Sequence, residues 1–294
     1  MADNSIINLG ELSKPATVLI EKISDAVGGI FKPYQIVRIA KAEAEAERIK
    51  AESNIQVSDL QLRAFHRFLK EEAKKQENIE EITRKAIPQL EEKSRPQDIE
   101  DDWITSFFDE CRLISDNDMQ VLWSRVLAGE ANSPGSYSKR TVKFLASLDK
   151  YDAELFTKLC TFKWSIDQDS VLFIYGWEEK IYLRHGINFG VLAHLESIGL
   201  IQFNNQISDF TISNIPKTVK ASYYGKPIVL TFQKDSDNII VIGKVLLTRI
   251  GMELAPICGS QPDADFEEYI HDKWRKMNYI KEEKTELDNP VVSK

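Results

Sequence analysis

The chain predicts an α+β fold that is mainly α, with long N-terminal helices, a small helical bundle and a C-terminal module mixing short strands with helices. Three observations carry this. Apolar residues recur at spacings of three and four through much of the first 160 residues, the period of a helix with one buried side. Runs of β-branched and aromatic residues bounded by turn formers begin only near residue 171. Hydrophobic residues make up 43% of the 294, enough to build a core and too many for a wholly disordered chain. Pro, Gly and charge punctuation divides the sequence into four regions: an extended helical region and oligomerisation stalk at 1–95, a helical bundle at 96–160, a mixed module at 161–260, and a helix with a tail at 261–294.

In the first region, Val18, Leu19, Ile20, Ile23, Val27, Ile30 and Phe31 form a helical stripe. Ser13 can cap this helix and Pro15 suits its first turn. Such a stripe needs an apolar partner, and Val18, Leu19, Ile23 and Val27 are the candidate partner contacts. Lys14, Lys22 and Lys32 are balanced by Glu11, Glu21 and Asp25, so attraction to anionic lipid is weak. Packing on protein is therefore favoured over peripheral membrane contact at 15–31. Residues 34–53 are Ala-rich with i,i+4 ion pairs. From Asp59 a further helix carries Leu60, Leu62, Phe65, Phe68 and Leu69 and runs to Pro88.

In the bundle, Ile99, Trp103, Ile104, Phe107, Phe108 and Cys111 form an aromatic helical face. A second helix, with Ser115 as its cap, carries Met119, Leu122, Trp123, Val126 and Leu127. Trp103 and Trp123 read as core residues rather than a base-stacking platform. Gly129 reads as a helix terminator. Asn132–Ser136 is a turn-rich loop, and Ser138 and Asp149 can start two further helices. The acidic run Glu100, Asp101, Asp102 with Asp109 reads as a solvated helix face, because 101, 102 and 109 do not share one side of a helix.

The stretch LWSRVLAGEANSPGSYSKRTVKFLASLDKYDAELF, residues 122–156, resembles a family of uncharacterised bacterial proteins classed as a domain of unknown function. It is also similar to the abortive-infection alpha proteins implicated in phage exclusion. Leu122-Trp123, Leu127-Ala128-Gly129-Glu130, the Pro-Gly loop and Asp152-Ala153-Glu154-Leu155 carry the likeness. The segments KPYQIVRIAKAEAEAERI and LTRIGMEL extend it over most of the chain. The resemblance implies a setting in phage defence and supplies no catalytic residue.

In the mixed module, VLFIYG at 171–176 reads as a strand, 188–198 as a helix ended by Gly199, and 200–203 as the strand that follows. Strand-like runs occupy 209–213, 219–233 and 238–247, with a turn or bulge at Tyr224-Gly225 and a hairpin at Asp235–Asn238. Thr248 caps a further helix. This order is winged-helix-like, which raises nucleic-acid binding through Lys217, Lys220, Lys226, Lys244 and Arg249. Charge weighs against it: residues 161–260 hold nine basic and nine acidic side chains, whereas phosphate contact calls for a basic face. A last amphipathic helix at 266–279 carries Phe266, Tyr269, Ile270 and Trp274, and the tail KEEKTELDNPVVSK reads as disordered.

The net charge of −8 argues against a chain-wide clamp on nucleic acid. Cys111, Cys160 and Cys258 are too few and too scattered for a disulfide framework or a Cys-rich metal site, and an odd number of thiols fits a reducing compartment. His66, His185, His194 and His271 show no metal-ligand spacing, and phosphate-loop, dinucleotide and nucleophile-elbow motifs are absent. A Cys–His pair assembled by the fold stays open. No signal peptide is read at the start of the sequence and no spanning segment in it. The expectation is a cytoplasmic, non-enzymatic protein without cofactor or metal. It acts in phage defence through protein–protein contact or self-assembly. The alternatives are a winged-helix nucleic-acid binder and a membrane-perturbing effector using 15–31.

Overall fold

The computed structural model describes residues 12–28, 59–167 and 169–280. Of these, 54% are helical and 16% lie in strands, so the α+β, mainly α class holds. The Ala-rich segment 34–53 and the tail 281–294 lie outside the described residues. The chain divides into two compact units, Met1–Leu148 and Asp149–Lys294.

The first unit is helical. Helix α1 spans Lys14–Val27, with Ser13 Oγ accepting from the Ala16 N–H at 3.4 Å and Gly28 ending it in the left-handed region. Helix α2 spans Asp59–Ala86, α3 Asp101–Cys111, α4 Asn117–Asn132 and α5 Lys139–Ala146. The aromatic face read at 99–111 forms the core. Trp103 stacks on Phe107 at 5.1 Å, and Phe107 meets Trp123 edge-on at 5.1 Å. Trp103 Nε1 donates to the Tyr137 carbonyl at 2.7 Å, so its one polar atom is satisfied. Each such side chain, once fully buried, contributes roughly 1.5–3 kcal/mol. Ser138 caps α5 as expected, while α4 is capped by Asp116, one residue beyond the expected Ser115.

The second unit begins with α6, Lys150–Leu159. Strands β1 (Lys163–Ile166), β2 (Asp169–Leu172), β5 (Thr218–Tyr223) and β6 (Lys226–Thr231) form an antiparallel sheet in the order β2–β1–β5–β6. Tyr224 and Gly225, both at positive φ, make the two-residue β5–β6 turn. Trp164 stacks on Tyr223 at 5.0 Å on one face of the sheet. Over that face the last described helix, Ala264–Lys276, lays Phe266, Ile270 and Trp274, with Trp274 4.6 Å from Trp164. Between β2 and β3 come α7 (Lys180–Leu183) and α8 (Phe189–Ser197). After β8 comes α9 (Arg249–Leu254), so the helix over the sheet is α10.

The winged-helix reading of this unit gains no support from the strand pairing. Strand β3 (Ile201–Phe203), read as leading into a wing, pairs with β8 (Val245–Leu247), and β4 (Phe210–Ile215) pairs with β7 (Asn238–Gly243). The expected hairpin at 235–238 is instead a connection from β6 to β7, which lie in different sheets. The single strand read at 238–247 breaks at Gly243 (φ 102°). A Cβ there would come within 2.1 Å of the Ile174 carbonyl oxygen, so only glycine lets the two backbones touch. Thr248 does cap α9, accepting from the Gly251 N–H at 3.1 Å.

Candidate functional site

The expected contact residues of α1 divide in two. Leu19 and Ile23 are sealed inside the first unit, where α1 packs on α3 and on the 3-10 turn Pro96–Asp98, so neither has surface to offer a partner or a bilayer. The stripe was legible; its cover comes from the chain itself. Val18 and Val27 are half-buried, and Val18 lines an open cleft of about 560 Å³ with Ala26 and Ile104. The acidic run on α3 is engaged by cations: Asp101 pairs with Lys22 at 2.8 Å, Asp102 with Lys139 at 3.4 Å and Asp109 with Arg112 at 3.5 Å. Among the described residues no group of three His, Cys, Asp or Glu side chains is placed to hold a metal.

The five basic residues do not form one face. Lys220 and Lys226 sit on opposite sides of the sheet, because the register pairs Lys226 with Tyr223 and Lys220 with Val229. Lys217 is paired with Asp235 (2.7 Å), Lys226 with Glu267 (2.7 Å), Lys244 with Asp209 (2.8 Å) and Arg249 with Glu253 (3.0 Å). Lys220 alone of the five has no ion pair among the described residues. Phosphate binding at this place would have to compete with carboxylates already in contact.

Among the described residues, a surface with no enclosed side chain lies on the first half of α2. None of residues 59–77 is buried. Leu62, Phe65, Phe68 and Leu69 nevertheless share an arc of that helix, with Phe68 55% and the neighbouring Leu60 67% exposed. From Asn78 onward the same helix packs on α4, burying Ile79, Ile82 and Ala86.

The motif Leu127-Ala128-Gly129-Glu130 is a clamp for the loop that follows it. Gly129 lies inside α4 rather than ending it, and a Cβ there would meet the Tyr137 ring at 2.7 Å. Buried Glu130 accepts from the Gly135 N–H at 2.7 Å and the Tyr137 N–H at 2.9 Å. Burial pushes its carboxyl pKa up, outweighing those hydrogen bonds. Sequence reasoning gave Gly129 the wrong role because its neighbour, Tyr137, is supplied by the returning loop.

Two of the four histidines engage carboxylates rather than thiols. His185 Nε2 meets Asp263, and His194 Nε2 meets Asp152 at 2.7 Å. Asp263 stays below the usual carboxylate range: burial would raise it, and hydrogen bonds from His185 and Arg184 outweigh that. Two of the three thiols do come together. Cys160 follows α6 and is buried; Cys258 follows α9 and is partly open. Their side chains lie close enough for each thiol to shift the pKa of the other. Cys258 Sγ donates to the Ala255 carbonyl at 3.3 Å, and Lys163 Nζ donates to the same oxygen at 2.8 Å. No spacing rule points to this pair, because its members stand on separate elements.

The fold defines a two-unit, mainly helical protein, with Leu60 and Phe68 among its exposed apolar side chains. The chain belongs to the family described as protein of unknown function DUF2806, whose model matches residues 62–271. No curated protein and no solved structure matches the chain. No helix among the described residues is long and apolar enough to cross a membrane.

Proposed function

We propose that this chain is a non-enzymatic bacterial protein of phage defence that acts in the cytoplasm by self-assembly through α2. The observation that carries the reading is the stripe of half-buried Leu62, Phe65 and Leu69 beside exposed Phe68, on a helix with no buried residue between Asp59 and Asn78. Aromatic and leucine side chains only partly covered along one arc are the surface that helix pairing removes. A second copy is the favoured occupant on charge. Residues 59–70 carry Arg63, Arg67 and Lys70 against Asp59, and residues 71–77 carry Glu71, Glu72 and Glu77 against Lys74 and Lys75. An antiparallel pair of α2 helices sets the basic half of each against the acidic half of the other. The defence setting rests on the resemblance of residues 122–156 to the abortive-infection alpha proteins.

Two measurements test the two parts. Light scattering on the full chain is expected to give a multiple of 33.7 kDa that falls to the monomer in the Phe65→Ser/Phe68→Ser variant; a monomeric wild type removes the assembly reading. Phage plating on cells expressing the wild-type gene is expected to drop relative to cells without it. Equal plating removes the defence setting.

A further inference from the structure

The thiol cluster of the second unit has a geometry that packing alone does not require. Residues 160 and 258 are 98 positions apart in the sequence, yet the fold sets their side chains side by side. Both backbones are pinned. Thr157 Oγ1 donates to the Cys258 carbonyl at 3.1 Å, and the Tyr224 hydroxyl donates to the Cys160 carbonyl at 3.1 Å and lies 2.6 Å from Ser260 Oγ. Lys163 stands beside Cys258 on the shared Ala255 oxygen, with its Nζ 5.9 Å from the centre of the Tyr224 ring. The two sulfurs differ in access: Cys160 is fully enclosed, Cys258 is not.

We propose that Cys258 and Cys160 form a peroxide-sensitive modification site, in which a hydroperoxide oxidises Cys258 and Cys160 then closes a disulfide with it. The Cys258 thiolate attacks one peroxide oxygen. An S–O bond forms, the O–O bond breaks, and the other oxygen leaves as an alcohol or water after taking a proton. Cys258 is now a sulfenic acid, and the peroxide has been reduced by two electrons. The Cys160 sulfur attacks that of Cys258, the S–S bond forms, the S–O bond breaks, and hydroxide leaves as water with the proton from the Cys160 thiol. Overall, two thiols and one hydroperoxide give a disulfide, an alcohol and a water.

The electrostatics assign the order. The titratable groups facing Cys258 are Cys160, Lys163 and Tyr224. The hydrogen bond from Cys160 lowers the Cys258 pKa to about 6 against the opposing effect of burial, with Ser260 and Lys163 adding to it. Burial raises Cys160 and likewise raises Cys111, which is enclosed in the first unit. Cys111 therefore serves as an internal control.

The test uses the full reduced chain near neutral pH. It is exposed to hydrogen peroxide, quenched, alkylated with N-ethylmaleimide in denaturant and peptide-mapped. The expected product is a dithiothreitol-sensitive Cys160–Cys258 cross-link with Cys111 alkylated. Alkylation of all three cysteines overturns the proposal, and so does a cross-link to Cys111 or sulfinic acid at Cys258 with Cys160 still free. Cys160→Ser should accumulate a dimedone-reactive sulfenic acid at Cys258, and an unreactive Cys258 in that folded variant also overturns it. The wild-type map stands alone if the variant does not fold. Lys163→Met should move the midpoint of the alkylation rate of native Cys258 to higher pH; an unmoved midpoint removes Lys163 from the site.

Discussion

The two stretches of α2, Asp59–Glu77 and Asn78–Ala86, belong to one helix and meet different surroundings. Both carry apolar residues at helical spacing. In the second stretch Ile79, Ile82 and Ala86 are covered, the Asn78 side chain donates to the Arg112 carbonyl at 2.8 Å, and Lys85 reaches Gln120 at 2.7 Å. In the first stretch, exposed pairs such as Arg67–Glu71 (3.4 Å) and Lys75–Glu72 (2.6 Å) line the helix and Phe68 stays 55% exposed. An amphipathic stripe therefore records a demand for cover, and the neighbouring elements decide whether it is met inside the chain. For α1 it is met by α3, which encloses Leu19 and Ile23; at the start of α2 it is met only in part, with Leu62, Phe65 and Leu69 half-buried and Phe68 exposed.

Mutations rank along this contrast. Ile82→Ala removes a fully enclosed side chain and should cost about 2–5 kcal/mol in urea or thermal unfolding. A cost below about 1 kcal/mol would mean that the second stretch is as loosely held as the first. Gly129→Ala pushes a methyl into the Tyr137 ring, in the helix that covers the second stretch. It should cost about 1–3 kcal/mol by the same measurement, and less when Tyr137 is shortened. Phe65→Ser/Phe68→Ser should change the stability of the monomer by no more than about 0.5 kcal/mol while abolishing self-association. Arg67→Ala should cost less than about 0.5 kcal/mol.

The smallest effect is one of pH. The Arg84 hydrogen bond outweighs burial and holds the Glu81 carboxyl below its ordinary value of 4.5. The unfolded chain binds that proton more readily, so the contribution is present above the unfolded value and is lost as pH falls through the folded one. Unfolding of Glu81→Gln followed from pH 6 to pH 3 (roughly the span around the ordinary value) should show a slightly flatter acid limb than wild type.

Legibility followed sequence distance. The faces of α1, α3 and α4, the caps Ser13, Ser138 and Thr248 and the turn at Tyr224-Gly225 were all readable, because each rests on residues within a turn or two of one another. Strand β1 was missed: it has only four residues, paired on one side with β2 and on the other with β5, more than fifty positions later. The pairing of β3 with β8, more than forty positions apart, had no local signal either. The stripe at 60–69 was visible as a pattern, and its exposure was not, since exposure depends on what fails to pack there. The Cys160–Cys258 contact had no local signal. The nearest hint was an odd number of cysteines with no framework, which says nothing of which two meet.

The central position of Trp164 sets an order of assembly. Its strand needs β5 beside it, and its ring needs Trp274, 110 positions further on, as a lid. Contacts that close so late in the sequence form slowly and come after local helices. As the chain leaves the ribosome, helices α1 to α5 can settle early, while the second unit holds its widest aromatic surface in water until α10 arrives. A chain stopped after Leu254 keeps the whole sheet and loses its roof.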